Sequence, residues 1–123
     1  MADIKSYKDL LIWQKGIDIV DEAYSLTKSF PSDEKFALIS QIKRCSVSIP
    51  SNIAEGWGRE SEKSFLNFLR IARGSLYELE TQIEVAYRQG FFKRDEQEKL
   101  IKLMVEESKM LSSFMKKLNS RIN

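Results

Sequence analysis

The chain has 123 residues, 31% charged and 42% hydrophobic, with a formal net charge of +2. Such a balance suits one globular domain with one core and excludes a disordered chain. No apolar run approaches the roughly 20 residues of a membrane span, and a charge so near neutral is by itself no sign of nucleic-acid binding.

The opening Met1-Ala2-Asp3-Ile4-Lys5 lacks a basic stretch followed by an apolar one. No secretory leader is therefore expected, and the cytoplasm is the expected compartment. The single Cys45 has no intrachain disulfide partner and reads as a reduced core thiol.

Few stretches alternate with period two, while helical periodicity runs throughout. The first predicted helix spans about Tyr7 to Ser29. Leu10, Trp13, Ile17, Val20 and Tyr24 form one apolar row, and Ile12, Gly16, Ile19, Ala23 and Leu26 form another beside it. Together they make a face wide enough for two neighbouring helices. Gly16 leaves room for close approach of a partner helix.

Phe30-Pro31-Ser32 ends that helix, because the residue before proline avoids helical angles. Ser32 reads as the next N-cap, followed by Asp33 and Glu34. The second helix carries Phe36, Ile39, Ile42, Cys45, Ile49 and Ile53 inward and is expected to kink near Pro50. Gly56 and Gly58 close it around Trp57. Ser61 caps a third helix reaching about Gln89, with Phe65, Leu69, Ala72, Leu76, Leu79, Ile83 and Ala86 in an unbroken apolar row. Gly90 stops it. Asp95 reads as the cap of a last helix, with Leu100, Met104, Leu111, Phe114, Leu118 and Ile122 inward. Long helices and short connections predict an all-α fold, an antiparallel up-down-up-down four-helix bundle occupying residues 1–123 as one domain.

The stretch Ser48 to Arg59 sets proline, small polar residues and a carboxylate inside a half-apolar helix, choices that oppose a featureless core segment. Asn52 and Glu55 lie one turn apart. Their structural reading is a polar network receiving Arg59 or Arg73 inside the bundle. A catalytic role for Glu55 has less to stand on, since no partner base or metal ligand accompanies it. The chain contains no histidine, which removes the usual general base, the zinc motifs and the Glu-x-x-His pattern of helical di-iron sites. It has no phosphate-cradling glycine loop and no nucleophile elbow. Gly74-Ser75 reads as a place of close helix packing, and Met104, Met110 and Met115 as core. The expectation is no enzyme, no cofactor and no metal.

Several segments also match a known family. They are Leu11-Ile12-Trp13-Gln14-Lys15, Phe30-Pro31, Ser40-Gln41-Ile42-Lys43-Arg44, Ser46 through Gly56 with Gly58-Arg59, then Phe65, Phe68-Leu69, Ile71-Ala72-Arg73-Gly74-Ser75 and Glu78-Leu79-Glu80. In these the chain resembles the 23S ribosomal RNA intervening-sequence proteins, often described simply as four-helix-bundle proteins. The match covers roughly the first 90 residues in the family's order. The last helix matches only as an amphipathic pattern, and Cys45 stands where alanine is more usual. The resemblance implies a bacterial, cytoplasmic homo-oligomer, a ring-like pentamer of bundles. It also implies kinship with accessory proteins of diversity-generating retroelements, which contact a reverse transcriptase and nucleic acid. It implies fold and assembly more firmly than activity.

Two surfaces follow as candidates. Leu66, Arg70, Arg73, Tyr77, Glu80, Glu84 and Tyr87 form a second row on helix three. One reading is an oligomer interface in which Arg70, Arg73 and Tyr77 of one copy meet carboxylates such as Glu80 and Glu84 of another. The other is a solvated face with weak intrahelical pairs. Lys43, Arg44, Arg59, Lys63, Arg70 and Arg73 fall in the hairpin of helices two and three. Repeated around a ring, they would form a basic surface for RNA or DNA phosphates, with Trp57 available to stack on a base. The functional expectation is a non-enzymatic nucleic-acid-binding adaptor. The alternative is an assembly module recruiting another protein, with no nucleic-acid role.

Overall fold

Four α-helices account for most of residues 3–122, the part of the chain that the computed structural model describes. Helix α1 spans Leu11–Thr27, α2 Leu38–Trp57, α3 Glu62–Arg88 and α4 Glu98–Ile122. Short 3-10 turns, Tyr7–Asp9, Ser32–Glu34 and Arg94–Gln97, precede α1, α2 and α4, and no strand occurs among the described residues.

The helix starts show how local hydrogen bonding shifts the boundaries read from periodicity. The Ser6 hydroxyl accepts from the Lys8 N–H while the Asp9 carboxylate accepts from the Ser6 N–H. This reciprocal cap closes a tight turn, so α1 begins at Leu11 rather than Tyr7. After Pro31 the bonds Glu34 N–H to Pro31 O and Lys35 N–H to Ser32 O close three-residue rings. Ser32 therefore opens a 3-10 turn, not an α-helix. Phe36, expected inside, sits on the link that follows and is 89% exposed. Asp95 likewise lies within a turn that the Glu96 carboxylate caps through the Lys93 N–H. Ser61 behaves as expected, its hydroxyl accepting from the Ser64 N–H at 3.1 Å. Gly90 leaves α3 at φ 79°, a backbone setting that favours glycine, and Phe91 N–H returns to Ala86 O.

Contacts between helices run in opposite sequence directions. Gly16 meets Pro50 while Tyr24 meets Lys43. Cys45 meets Ser75 while Gly56 meets Phe65. Phe65 meets Phe114 while Glu62 meets Arg121, and Lys15 meets Glu106 while Glu22 meets Lys99. Each helix is thus antiparallel to its neighbours, and α4 closes the bundle against α1.

The core is the heptad row of α3, with Leu69, Ala72, Leu76, Leu79, Ile83 and Ala86 fully buried, facing Ile42, Ile49 and Ile53 of α2 and Leu111 of α4. In α1 the buried row is Ile12, Gly16, Ile19, Ala23 and Leu26. The row beginning at Leu10 flanks it, with Trp13, Ile17 and Val20 half-buried and Tyr24 exposed. Helix α2 continues through Pro50, whose ring packs where Gly16 has no side chain; a Cβ at Gly16 would stand 3.3 Å from Pro50 Cβ.

Candidate functional site

The polar stretch of α2 resolves into two separate arrangements. Asn52 donates to the Ser48 carbonyl at 2.8 Å and to the Ser48 hydroxyl at 3.0 Å, and Ser48 shares a 2.8 Å hydrogen bond with Ser75 of α3. These half-buried groups join α2 to α3. Glu55 instead lies on the surface, where Arg59 one turn on reaches it at 2.9 Å. The Arg59 guanidinium also covers the Phe68 ring, 4.8 Å from its centre. Asn52 and Glu55 therefore share no network inside the bundle, and Arg73 joins neither. A carboxylate that stays in water avoids the desolvation cost that a buried pair must overcome.

The six cations read as one patch are divided by the helix faces they occupy. Lys43 turns toward α1, its ammonium 4.9 Å from the centre of the Tyr24 ring. Arg44 is exposed and bonds within its own helix to Ser40. Arg59 is engaged as described, and Lys63 is exposed near the start of α3. Arg70 and Arg73 come together on the other side of α3, in an open groove against α4. Leu66 and Met115 form its apolar floor, and Lys116, Ser112 and Asn119 of α4 line its far wall. None of Arg70, Arg73 and Lys116 has a carboxylate within ion-pair distance among the described residues. Lys116 is the member that the hairpin reading missed. Its signal was the polar strip Ser112, Lys116, Asn119 at helical spacing.

The second row of α3 divides as well. Leu66 is buried, Arg73 and Glu80 are half-buried, and Arg70, Tyr77 and Glu84 are exposed. Burial raises the Glu80 carboxyl above its ordinary range. Arg88, one turn on, holds Glu84 at 2.8 Å. Gly74 does not serve close packing within the chain, since a Cβ there would meet nothing within 4 Å. Trp57 is half-buried with its ring edge-on to Phe65.

One titratable group lies in the centre of the bundle. Glu107 of α4 is 0% exposed, and neither carboxyl oxygen has a hydrogen-bond partner. Burial pushes its carboxyl up to about 8, although nearby Lys15 pulls it down. Next to it, the hydrogen bond from Lys15 holds the surface carboxylate of Glu106 below its ordinary value. No cluster of three or more histidine, cysteine or acidic residues able to hold a metal occurs among the described residues. No helix there is long and apolar enough to cross a membrane.

Comparison with known proteins relates the chain to a family and to a solved structure. The family described as 23S rRNA-intervening sequence protein matches residues 8–113. A crystal structure of a protein of unknown function from the S23 ribosomal protein family of Bacteroides thetaiotaomicron superposes with a TM-score of 0.78 at 28% identity, covering 86% of this chain and 96% of that one. No curated protein matches the chain significantly.

Proposed function

The chain belongs to the 23S rRNA-intervening sequence protein family, and from that premise we propose a non-enzymatic, homo-oligomeric adaptor that binds RNA or DNA through its phosphates. The observation that carries this reading is the groove in which Arg70, Arg73 and Lys116 converge without a carboxylate partner. Lysine and arginine that neutralise phosphates give sequence-independent, salt-sensitive affinity. Ser112 and Asn119 add neutral hydrogen-bonding groups in the same groove. A monomer of net charge +2 offers little long-range attraction, whereas copies assembled side by side would multiply the local positive field. The bacterial cytoplasm is the setting in which this reading places the protein.

Filter binding of a single-stranded RNA at two salt concentrations tests it. Affinity should fall as salt rises. Arg73→Glu with Lys116→Glu should weaken binding about tenfold or more and flatten the salt slope by about two contacts. No binding at low salt, or binding indifferent to salt, overturns the reading.

A second reading, recruitment of another protein, is favoured by a different observation. An apolar groove between α1 and α4 is lined by Ile4, Leu10, Leu11, Met110 and Phe114, and Leu11 is largely exposed. Groups of this kind mark interaction surfaces. A pull-down returning only the chain itself would count against that reading.

A further inference from the structure

Three aromatic side chains are exposed among the described residues: Tyr24, Phe36 and Tyr77. Lys43 lies against the Tyr24 ring and Lys35 over the Phe36 ring. Trp57, the stacking candidate offered by the sequence, is half-buried and edge-on to Phe65. Tyr77 is 49% exposed, and among the described residues neither a cation nor a second ring lies against it. An uncovered ring is a platform for another flat π-system.

The position of Tyr77 on α3 joins it to the cationic groove. Lys63, Arg70, Arg73 and Tyr77 follow one another at spacings of seven, three and four residues, which puts them on one face of the helix. Lys116 faces this row from α4. Arg70 donates to the neutral Asn67, so its charge is not compensated. The row changes sign at the ring. On one side of Tyr77 it is basic, and past Tyr77 come Glu80 and Glu84, with Arg88 already held by Glu84. A phosphate backbone is attracted to the first segment and repelled by the second. Phe65 against Phe114 and Glu62 against Arg121 set the antiparallel register of α3 and α4. At that register the exposed, apolar Val105 stands level with Tyr77.

We propose that this groove selects single-stranded nucleic acid, with the backbone along Lys63, Arg70, Arg73 and Lys116 and an unpaired base stacked on Tyr77. The assignment rests on the phosphate-binding reading above and names the class of nucleic acid it takes. Tyr77 lies about 6 Å beyond Arg73 along the helix axis, within reach of the base of a nucleotide whose phosphate Arg73 holds. A duplex keeps its base faces stacked inside and offers the groove only its phosphates. Every base has a π-face, so the selection is for unpaired bases rather than for a sequence. Electrostatics alone favours the opposite order, because a duplex carries the higher charge density and the steeper salt response. A preference for single strands therefore isolates what the ring contributes. Tyr77, grouped by the sequence with an oligomer interface, becomes a ligand contact. Arg70 remains without a protein carboxylate, as its phosphate contact requires.

The test is fluorescence anisotropy of the full chain with three labelled DNA probes of equal length: a single strand, a strand of stable abasic sugars, and a duplex. The wild type should bind the single strand at least about fivefold more tightly than either other probe, the lower end of what one stacked base contributes. Tyr77→Leu should lose that margin and bind the single strand and the abasic strand alike, with the salt slope unchanged. Tyr77→Phe keeps the ring and should stay within about twofold of the wild type. Circular dichroism checks folding, and sedimentation checks that neither variant changes the mass of the assembly. Salt-sensitive binding that is equal for all three probes and indifferent to Tyr77→Leu overturns the stacking and leaves the phosphate reading standing. A Tyr77→Leu variant that changes assembly mass and weakens all three probes equally also overturns it, and returns Tyr77 to an interface between copies. No binding of any probe at low salt overturns both readings.

Discussion

A Cβ added at Gly16 would stand 3.4 Å from Oε2 of Glu107. The glycine of α1 thus makes the space that the buried carboxyl of α4 fills, with Pro50 of α2 closing the third side at 3.3 Å. Proline has no N–H to return to the Ser46 carbonyl, and the Glu107 carboxyl in this part of the core lacks any hydrogen-bond partner. A neutral carboxyl can donate, and a charged one cannot. The physical chemistry of the site therefore favours the protonated form.

Stability should consequently fall as pH rises. The Glu107 carboxyl titrates near an ordinary 4.5 in the unfolded chain and is pushed up to about 8 in the folded one. Below the lower value both states are protonated, and the group contributes no pH dependence. Between the two values the folded state holds a proton that the unfolded state has released, so stability drops with pH at up to about 1.4 kcal/mol per unit. Above the upper value both are ionised and the loss stops growing. Urea melts at half-unit steps should show this slope in the wild type. Glu107→Gln, which does not titrate, should lack it.

Gly16→Ala should destabilise the protein by about 1 kcal/mol despite alanine's better helix propensity, because the opposing Pro50 ring cannot swing away. Its effect should be non-additive with Glu107→Ala, which removes the other wall of the contact. A double-mutant cycle by chemical denaturation reads the coupling.

Gly56 and Gly74 should respond in opposite directions to alanine. A Cβ at Gly56 would lie 2.7 Å from Phe68 Cβ and 2.8 Å from Phe65 Cδ1. Separating α2 from α3 at that point should cost roughly 1–3 kcal/mol. At Gly74 the space is open, so alanine should raise the intrinsic stability of the bundle by about 0.5–1 kcal/mol. Thermal melts at low protein concentration separate this gain from any change in self-association.

How much of this was legible in the sequence varied with how local the cause is. The α3 core row was legible because seven apolar residues recur without interruption, and the whole row is buried. Glu107 occupies the empty slot between Met104 and Leu111 in an otherwise apolar row. The spacing calls for an inward residue there, but hydrophobic periodicity does not single out a carboxylate. Phe36 failed because hydrophobicity says nothing about whether the turn before α2 winds in three- or four-residue rings. Lys116 failed because a groove between α3 and α4 depends on how two helices face each other, which neither helix's own period contains.

Cys45 provides the last prediction. Its thiol donates to the Ser75 carbonyl across the α2–α3 contact at 3.0 Å. Burial first, and the charge of Glu78 second, push it up to about 11 from an ordinary 9.0. The thiolate is the reactive form, so a buried thiol raised this far should resist iodoacetamide and aromatic disulfide reagents at neutral pH. Modification should proceed only as fast as α2 opens from α3 and should accelerate in denaturant in step with unfolding. Cys45→Ser keeps a donor for the Ser75 carbonyl, whereas Cys45→Ala leaves that carbonyl without the bond from Cys45. Alanine should therefore be the less stable variant, by about 1 kcal/mol in urea melts. Rapid labelling of the native protein would show that the α2–α3 contact opens far more readily than its packing implies.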